Sequence, residues 1–302
     1  MSWRRPPRSV VLAALVVSAT VIVDAQRFTS RAVGIRVDVL VTEGGRLVRG
    51  LNAGDFDVRD EGVPQTVSQL ELEQIPLNLI LVFDTSGSVA GNRLRALLEA
   101  GNALLDGLRE HDRVALLSFS TRVRLLTPLT SNRQQIHAAF DTLEAHDATS
   151  LRDAAFAGLA LREADPGRTL LLIFSDGDDT SSWLTTSRVI ETAKRTDAVV
   201  YAVAVPNQRA FWTPQGGATI HTVKDAGKFL DSLTEETGGR VLFASSNSDL
   251  RATFTKTLAE FHDRYVLFYT PTGVSATGWH RLEVKLKGKS GKVTARRGYF
   301  AE

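Results

Sequence analysis

Three observations in this 302-residue sequence predict an α/β fold: a doubly wound, mostly parallel sheet flanked by helices, with a small accessory β domain formed by the N- and C-terminal segments. First, the apolar runs Leu77-Asn78-Leu79-Ile80-Leu81-Val82-Phe83 and Leu170-Leu171-Leu172-Ile173-Phe174 read as strands covered on both faces, as in a parallel sheet. Second, stretches of helical periodicity alternate with further short apolar runs, which is the pattern of crossover units with right-handed connections. Third, the terminal segments alternate apolar and polar residues with a period of two, the mark of antiparallel strands.

Residues 1–25 read as a signal peptide. A basic stretch through Arg8 precedes an apolar run over residues 10–23, and Val23-Asp24-Ala25 offers a cleavage pattern before Gln26. The run is shorter than the ~20 residues a spanning helix needs. The chain is therefore expected to be exported (periplasmic, secreted or on the cell surface) and to meet a membrane only if the signal is left uncleaved. With no cysteine, disulfides, thiol nucleophiles and cysteine-ligated zinc are excluded.

Residues 26–76 form the N-terminal β segment. Ile35, Val37, Val39 and Val41 share one face, Arg36 and Asp38 the other, and Val67, Leu70 and Leu72 mark another strand, so the segment reads as half-exposed antiparallel β. Residues 77–262 are the α/β domain. Leu94, Leu97, Leu98, Leu104, Leu105 and Leu108 give an amphipathic helix behind Gly91-Asn92, followed by a strand at 114–119. Ile136, Phe140 and Leu143 mark a second helix, and residues 154–161 a third. Beyond the strand ending at Phe174 come a helix near 188–195, a strand at 199–205, a helix at 229–237, a strand at 241–244 and a last helix at 249–262. Residues 263–302 return to the two-residue alternation, with Leu282, Val284 and Leu286 opposed to Glu283, Lys285 and Lys287. Neither terminal segment is comfortable as a core of its own. The two are expected to pair into one discontinuous β-sandwich.

The formal charge of +2 comes from Arg4, Arg5 and Arg8 against Asp24, and the remainder is balanced. Without a basic stripe interleaved with aromatics, no nucleic-acid partner is expected. At 43% hydrophobic and 23% charged, the chain has the composition of a globular protein.

The loop after the first buried strand is Asp84-Thr85-Ser86-Gly87-Ser88. Alternation along an extended stretch can aim one carboxylate and two hydroxyls into the crevice at the strand's carboxyl end. Such hard oxygen donors suit magnesium, then manganese, better than zinc. A polar turn capping the next helix accounts for the same residues equally well.

Two further loops bear on that choice: Asp147-Ala148-Thr149-Ser150-Leu151, and Ser175-Asp176-Gly177-Asp178-Asp179-Thr180 after the second buried strand. With these, residues 77 to 261 resemble the von Willebrand factor A-type domain and its metal-ion-dependent adhesion site: Asp-x-Ser-x-Ser, a Thr on a second loop and an Asp on a third. The resemblance implies a metal set of Asp84, Ser86, Ser88, Thr149 and Asp176, holding Mg2+, with Mn2+ or Ca2+ possible. It further implies an adhesion or protein-interaction module whose cation takes a partner's acidic group, and a final helix (249–262) that can shift and relay to Arg264–Tyr265. More loosely, Gly54-Asp55-Phe56-Asp57-Val58 and Arg297-Gly298-Tyr299-Phe300 resemble segments of exported bacterial relatives of that domain.

Asp178 and Asp179 are expected to be solvated loop acids or caps of the following helix. Trp183 is a candidate exposed anchor at the rim. Phe211 and Trp212, within the aperiodic stretch 206–224, are either a partner-binding rim or local packing. His146 reads as a solvated loop residue. No Gly-x-Ser-x-Gly elbow or phosphate-binding loop is present in the sequence, so no enzymatic activity is expected; Mg2+-assisted hydrolysis is a rival, and a metal that merely staples the loops is another.

Overall fold

Successive side chains of a strand point to opposite faces, so an uninterrupted apolar strand must be covered on both. The segment Leu77–Asp84 meets that condition, with all 8 residues buried. Leu77, Leu79, Leu81 and Phe83 enter one core, Ile80 and Val82 the other. A computed structural model describes residues 34–72, 75–161, 167–176, 179–204, 209–212, 218–221, 224–244, 246 and 248–301, with the backbone alone for 209–212, 218–221 and 224–226. The signal-peptide reading of residues 1–25 lies outside the described residues.

The N-terminal segment holds β1 (Ile35–Glu43), β2 (Arg46–Leu47), β3 (Phe56–Asp60), β4 (Val63–Gln65) and β5 (Val67–Leu72). The middle runs β6 (Leu77–Asp84), α1 (Asn92–Asp106), β7 (Arg113–Phe119), β8 (Val123–Thr130), α2 (Arg133–Phe140), α3 (Leu151–Ala160) and β9 (Arg168–Ser175). It continues with α4 (Thr186–Lys194), β10 (Val199–Ala204), β11 (Arg209–Trp212), β12 (Ala218–His221), α5 (Lys224–Thr237), β13 (Arg240–Phe243) and α6 (Asp249–His262). The C-terminal segment adds β14 (Tyr265–Tyr269), β15 (Gly278–Leu286), β16 (Lys292–Thr294) and β17 (Gly298–Ala301).

The central sheet has six strands in the order β13-β10-β9-β6-β7-β8. β8 joins antiparallel and the other pairings are parallel. Side chains of α1, α2 and α6 pack on one face and those of α3, α4 and α5 on the other. Gly158 lets α3 approach closely, since a Cβ there would stand 2.5 Å from Leu171 Cδ1.

Two elements depart from the sequence reading. β8 is absent from it, because an edge strand of mixed exposure that contains Pro128 carries no clean alternation. The connection after β10, expected to be irregular, contains an antiparallel hairpin of β11 with β12.

The terminal segments interleave in both sheets of the β layer. One runs β16-β1-β14-β5 with β2 beside β1, the other β17-β15-β3-β4. β1 pairs with β14 (Val37 opposite Leu267) and β3 with β15 (Val58 opposite Val284). Val37, Val39, Phe56, Val58, Tyr265 and Leu267 belong to the core between them. Asp60, fully buried, cross-links the sheets by accepting from Tyr269 at 2.9 Å and Tyr299 at 2.6 Å, with His280 Nδ1 at 2.8 Å.

The half-exposed β1 inferred from its alternation is corrected by this packing. Its polar face lies against the amino end of the α/β sheet instead of water. Asp38 is 7% exposed and meets Arg168, the first residue of β9, at 2.6 Å. The Arg168 guanidinium also donates to the Phe261 carbonyl at 3.0 Å and stacks over that ring at 4.4 Å. Arg36 pairs with Asp197, just before β10. Period-two alternation reports two chemically different faces; it does not report what covers the polar one.

Removing one partner of a buried ion pair strands the other, at a cost of about 3–5 kcal/mol. Asp38→Ala is expected to lose stability of that order in urea unfolding. The paired replacement Asp38→Val with Arg168→Leu, which removes both charges, is expected to lose clearly less.

Candidate metal centre

Where the strand order of a doubly wound sheet reverses, the loops leaving two neighbouring strands diverge and open a crevice at their carboxyl ends. Here the reversal falls between β6 and β9: β7 and β8 lie to one side, β10 and β13 to the other. The parallel register sets Phe83 beside Phe174. Asp84 therefore ends β6 next to Ser175, which ends β9 and precedes Asp176, and the Ser175 hydroxyl donates to Asp84 Oδ2 at 2.8 Å.

On the first loop, Asp84 is fully buried and Ser86 1% exposed. Asp84 Oδ1 accepts the Ser86 N–H at 2.9 Å. The Ser86 and Ser88 hydroxyls lie 3.0 Å apart, although Ser88 already sits in a helical turn and the extended stretch ends at Ser86. A single turn at Gly87–Val89 follows, and Gly91 then enters α1 at φ 73°, a conformation that glycine adopts without a Cβ clash.

The second loop is tied to both neighbours. The Asp147 carbonyl accepts the Gly87 N–H at 3.0 Å, and the His146 N–H donates to the Thr85 carbonyl at 2.9 Å. Asp147 itself adopts φ 68°, a left-handed conformation that Asp tolerates better than most side chains. Thr149 is buried, and its carbonyl accepts the Thr180 and Ser181 N–H groups of the third loop, each at 2.9 Å. On the third loop, the Asp176 side chain is fully buried. The Arg93 guanidinium spans the first and third loops, 3.3 Å from the Ser88 carbonyl and 3.4 Å from Asp176 Oδ2.

Electrostatically the site is short of positive charge. Burial pushes the Asp84 carboxyl up to about 6, with the Asp176 charge adding to the shift, and hydrogen bonds from Ser86 and Ser175 offset only part of it. Among the described residues no group of three or more His, Cys, Asp or Glu side chains is placed to hold a metal, so a cation here would depend on hydroxyl as well as carboxylate oxygens. At hand are two carboxylates and the Ser86 and Ser88 hydroxyls, with Thr149 buried on the second loop. Hard oxygens around a carboxylate pair fit Mg2+ or Mn2+, and a cation would relieve the repulsion.

The neighbouring residues divide. Asp178 lies outside the described residues. Asp179, expected in solvent or on the following helix, instead caps the preceding one: Oδ2 accepts from the Arg152 N–H at 2.9 Å, Arg152 Nε at 3.0 Å and the Ser182 hydroxyl at 2.8 Å. The N-terminus of α3 lies beside the third loop and attracts a carboxylate, although Asp179 comes 27 residues later in the chain. Asp153 accepts the Trp183 and Leu184 N–H groups at 3.0 and 2.9 Å, so Trp183, 93% exposed, projects from a pinned turn. Phe211 and Trp212 fall on β11, and their side chains lie outside the described residues. His146 is solvated as expected, with Nδ1 2.6 Å from the exposed Asp147 carboxylate. Ser175 and Arg93 are not among the site residues expected from the sequence; Ser175 reads there only as the first residue of the third loop, although it ends β9, and Arg93 sits inside a helical pattern.

Residues 79–178 match the family model of the von Willebrand factor type A domain. Inter-alpha-trypsin inhibitor heavy chain H4 of Bos taurus is 28% identical over 145 residues, which cover 44% of this chain and only 16% of that protein. A UPF0353 protein of Mycolicibacterium gilvum is 28% identical over 233 residues, 69% of this chain and 67% of the relative. Among solved structures, a von Willebrand factor type A protein from Catenulispora acidiphila superposes with a TM-score of 0.51 at 12% identity, covering 86% of this chain and 75% of that one. At that identity the likeness is one of fold. The α/β part of this chain accordingly has a von Willebrand factor A-like fold, and its residues 79–178 are similar to that family.

Proposed function

We propose that the chain is an exported interaction module in which a Mg2+ held at Asp84, Ser86, Ser88, Thr149 and Asp176 captures an acidic group of a partner. The observation that carries this reading is the buried Asp84–Asp176 pair, flanked by the Ser86 and Ser88 hydroxyls at the reversal point of the sheet. The hydroxyls are neutral, so only the two carboxylates offset the cation's charge, and it stays able to take a further oxygen donor from a partner. Gly87 is exposed and Ser88 half-buried, which leaves the first loop open to a partner. The same hard-oxygen donors also suit Mn2+ or Ca2+. Trp183 adds an aromatic anchor at the rim, of the kind favoured in interfaces. The export part of the reading rests on residues 1–25 of the sequence.

A metal that only staples the loops has less to contribute here. Backbone hydrogen bonds from Gly87, His146, Thr180 and Ser181 already join the three loops. Recognition is therefore the stronger reading of the same site.

Calorimetric titration of Mg2+ into the chain from Gln26 onward is expected to give saturable binding that Asp84→Ala abolishes. A folded wild-type chain that binds no divalent cation would sink the proposal.

The pH dependence follows from the direction of the Asp84 shift. Its carboxyl holds a proton up to about 6 in the fold, against an ordinary 3.8. Between those values the folded chain binds more protons than the unfolded one, so this group makes the metal-free protein less stable as pH rises from about 4 to 6. Below about 6 a cation must also displace the proton, and Mg2+ affinity is expected to fall about tenfold between pH 7.5 and pH 5. Titrations at the two pH values check this; equal affinity at both would show that Asp84 is not a site for the cation.

A further inference from the structure

Arg93 is the second residue of α1, where a positive charge gains nothing from its own helix. The dipole favours anions at that end, and the first turn contains no acidic residue for Arg93 to pair with. Its neighbour Arg95 turns to Asn92 on the exposed side. Arg93 instead reaches back over the first loop to the third, and its placement is explained by the site, not by the helix.

Among the described residues, the Arg93 guanidinium offsets part of the charge of the two buried carboxylates, which a fold tolerates better than leaving both uncompensated. A divalent cation entering there would face the guanidinium as a like charge, in surroundings that screen it poorly. We propose that Arg93 is the built-in counter-cation of this site, a positioning residue that ties the first loop to the third through Asp176 and is displaced when a divalent cation binds. This deepens the cation reading above and rests on it.

The contacts suit displacement. At 3.3 and 3.4 Å they lie beyond the usual hydrogen-bond range, so they hold the guanidinium loosely. The Arg93 side chain is 20% exposed while that of Asp176 is fully buried, so one partner has a route to solvent and the other stays in place. A long, flexible stem lets the charged head move outward while its methylenes remain packed. Once displaced, the guanidinium stands at the rim as a second attraction for the same acidic partner.

The test compares the wild-type chain with Arg93→Gln and Arg93→Lys, using Mg2+ calorimetry and thermal melting in EDTA. Arg93→Gln, which keeps polarity without charge, is expected to bind Mg2+ roughly tenfold more tightly, because a repelling charge has gone. It is also expected to melt lower than wild type in EDTA and to gain more from added Mg2+. Arg93→Lys, which keeps the charge, is expected to stay within about threefold of wild type in affinity. Equal or weaker Mg2+ binding by Arg93→Gln would overturn the displacement while leaving the cation reading intact. Equal melting in EDTA would overturn the counter-charge role. Absence of Mg2+ binding in all three folded chains would overturn both readings together.

Discussion

The parallel pairing of β6 with β9 is the constraint on which the site depends. It joins the two most completely buried strands of the sheet, and it falls where the strand order reverses. Backbone register alone then sets Asp84 beside Ser175 and the first loop beside the third. The crevice needs no side chain to create it, only two apolar runs long enough to be covered on both faces. What the side chains add is chemistry: a carboxylate pair whose mutual repulsion the fold bears, and hydroxyls turned toward it. A buried acid raised to about 6 costs stability at neutral pH, and perturbed groups of this kind cluster in clefts where ligands bind.

The opposite end of the sheet is built on different physics. Arg168 with Asp38 and Arg36 with Asp197 join β1 to the amino ends of β9 and β10. The last turn of α6 belongs to the same belt. Glu260 accepts from the Tyr201 hydroxyl at 2.6 Å and pairs with Arg240, the Phe261 carbonyl accepts from Arg168, and His262 meets Asp112 at 3.2 Å. Arg264, fully buried immediately after the helix, donates to the Gly238 carbonyl. Any axial shift of α6 would have to carry or break these contacts together. These contacts tie the end of α6 to the sheet and the β layer, whereas the Arg93 contacts at the loop end are longer, at 3.3 and 3.4 Å.

Much of the fold was legible because each apolar pattern had one physical solution. Unbroken runs at 77–83 and 170–174 had to be central strands, and the spacing of Leu97, Leu104 and Leu105 had to be a helix on a sheet. The Ser86 and Ser88 hydroxyls of the Asp-x-Ser-x-Ser loop do meet at 3.0 Å, but through a helical turn at Gly87–Val89 and not through the extended alternation expected from the sequence. Features that depend on a surface supplied from elsewhere escaped. The polar face of β1 looked like a solvent face until the α/β sheet covered it. Asp179 looked like a surface acid until the N-terminus of α3 came beside it.

The sequence by itself determined the alternation of buried strands and helices, the segregation of antiparallel β to both ends, and the residue types gathered on three loops. Those are local properties, set by periodicity and by the chemistry of each side chain. Only the tertiary structure decided that Asp84 and Asp176 share one buried field, that Ser175 and Arg93 enter it, and that Asp38 is enclosed with Arg168. Each of these joins residues tens of positions apart. Their energies depend on distance and on excluded water, quantities that exist only once the chain has closed on itself.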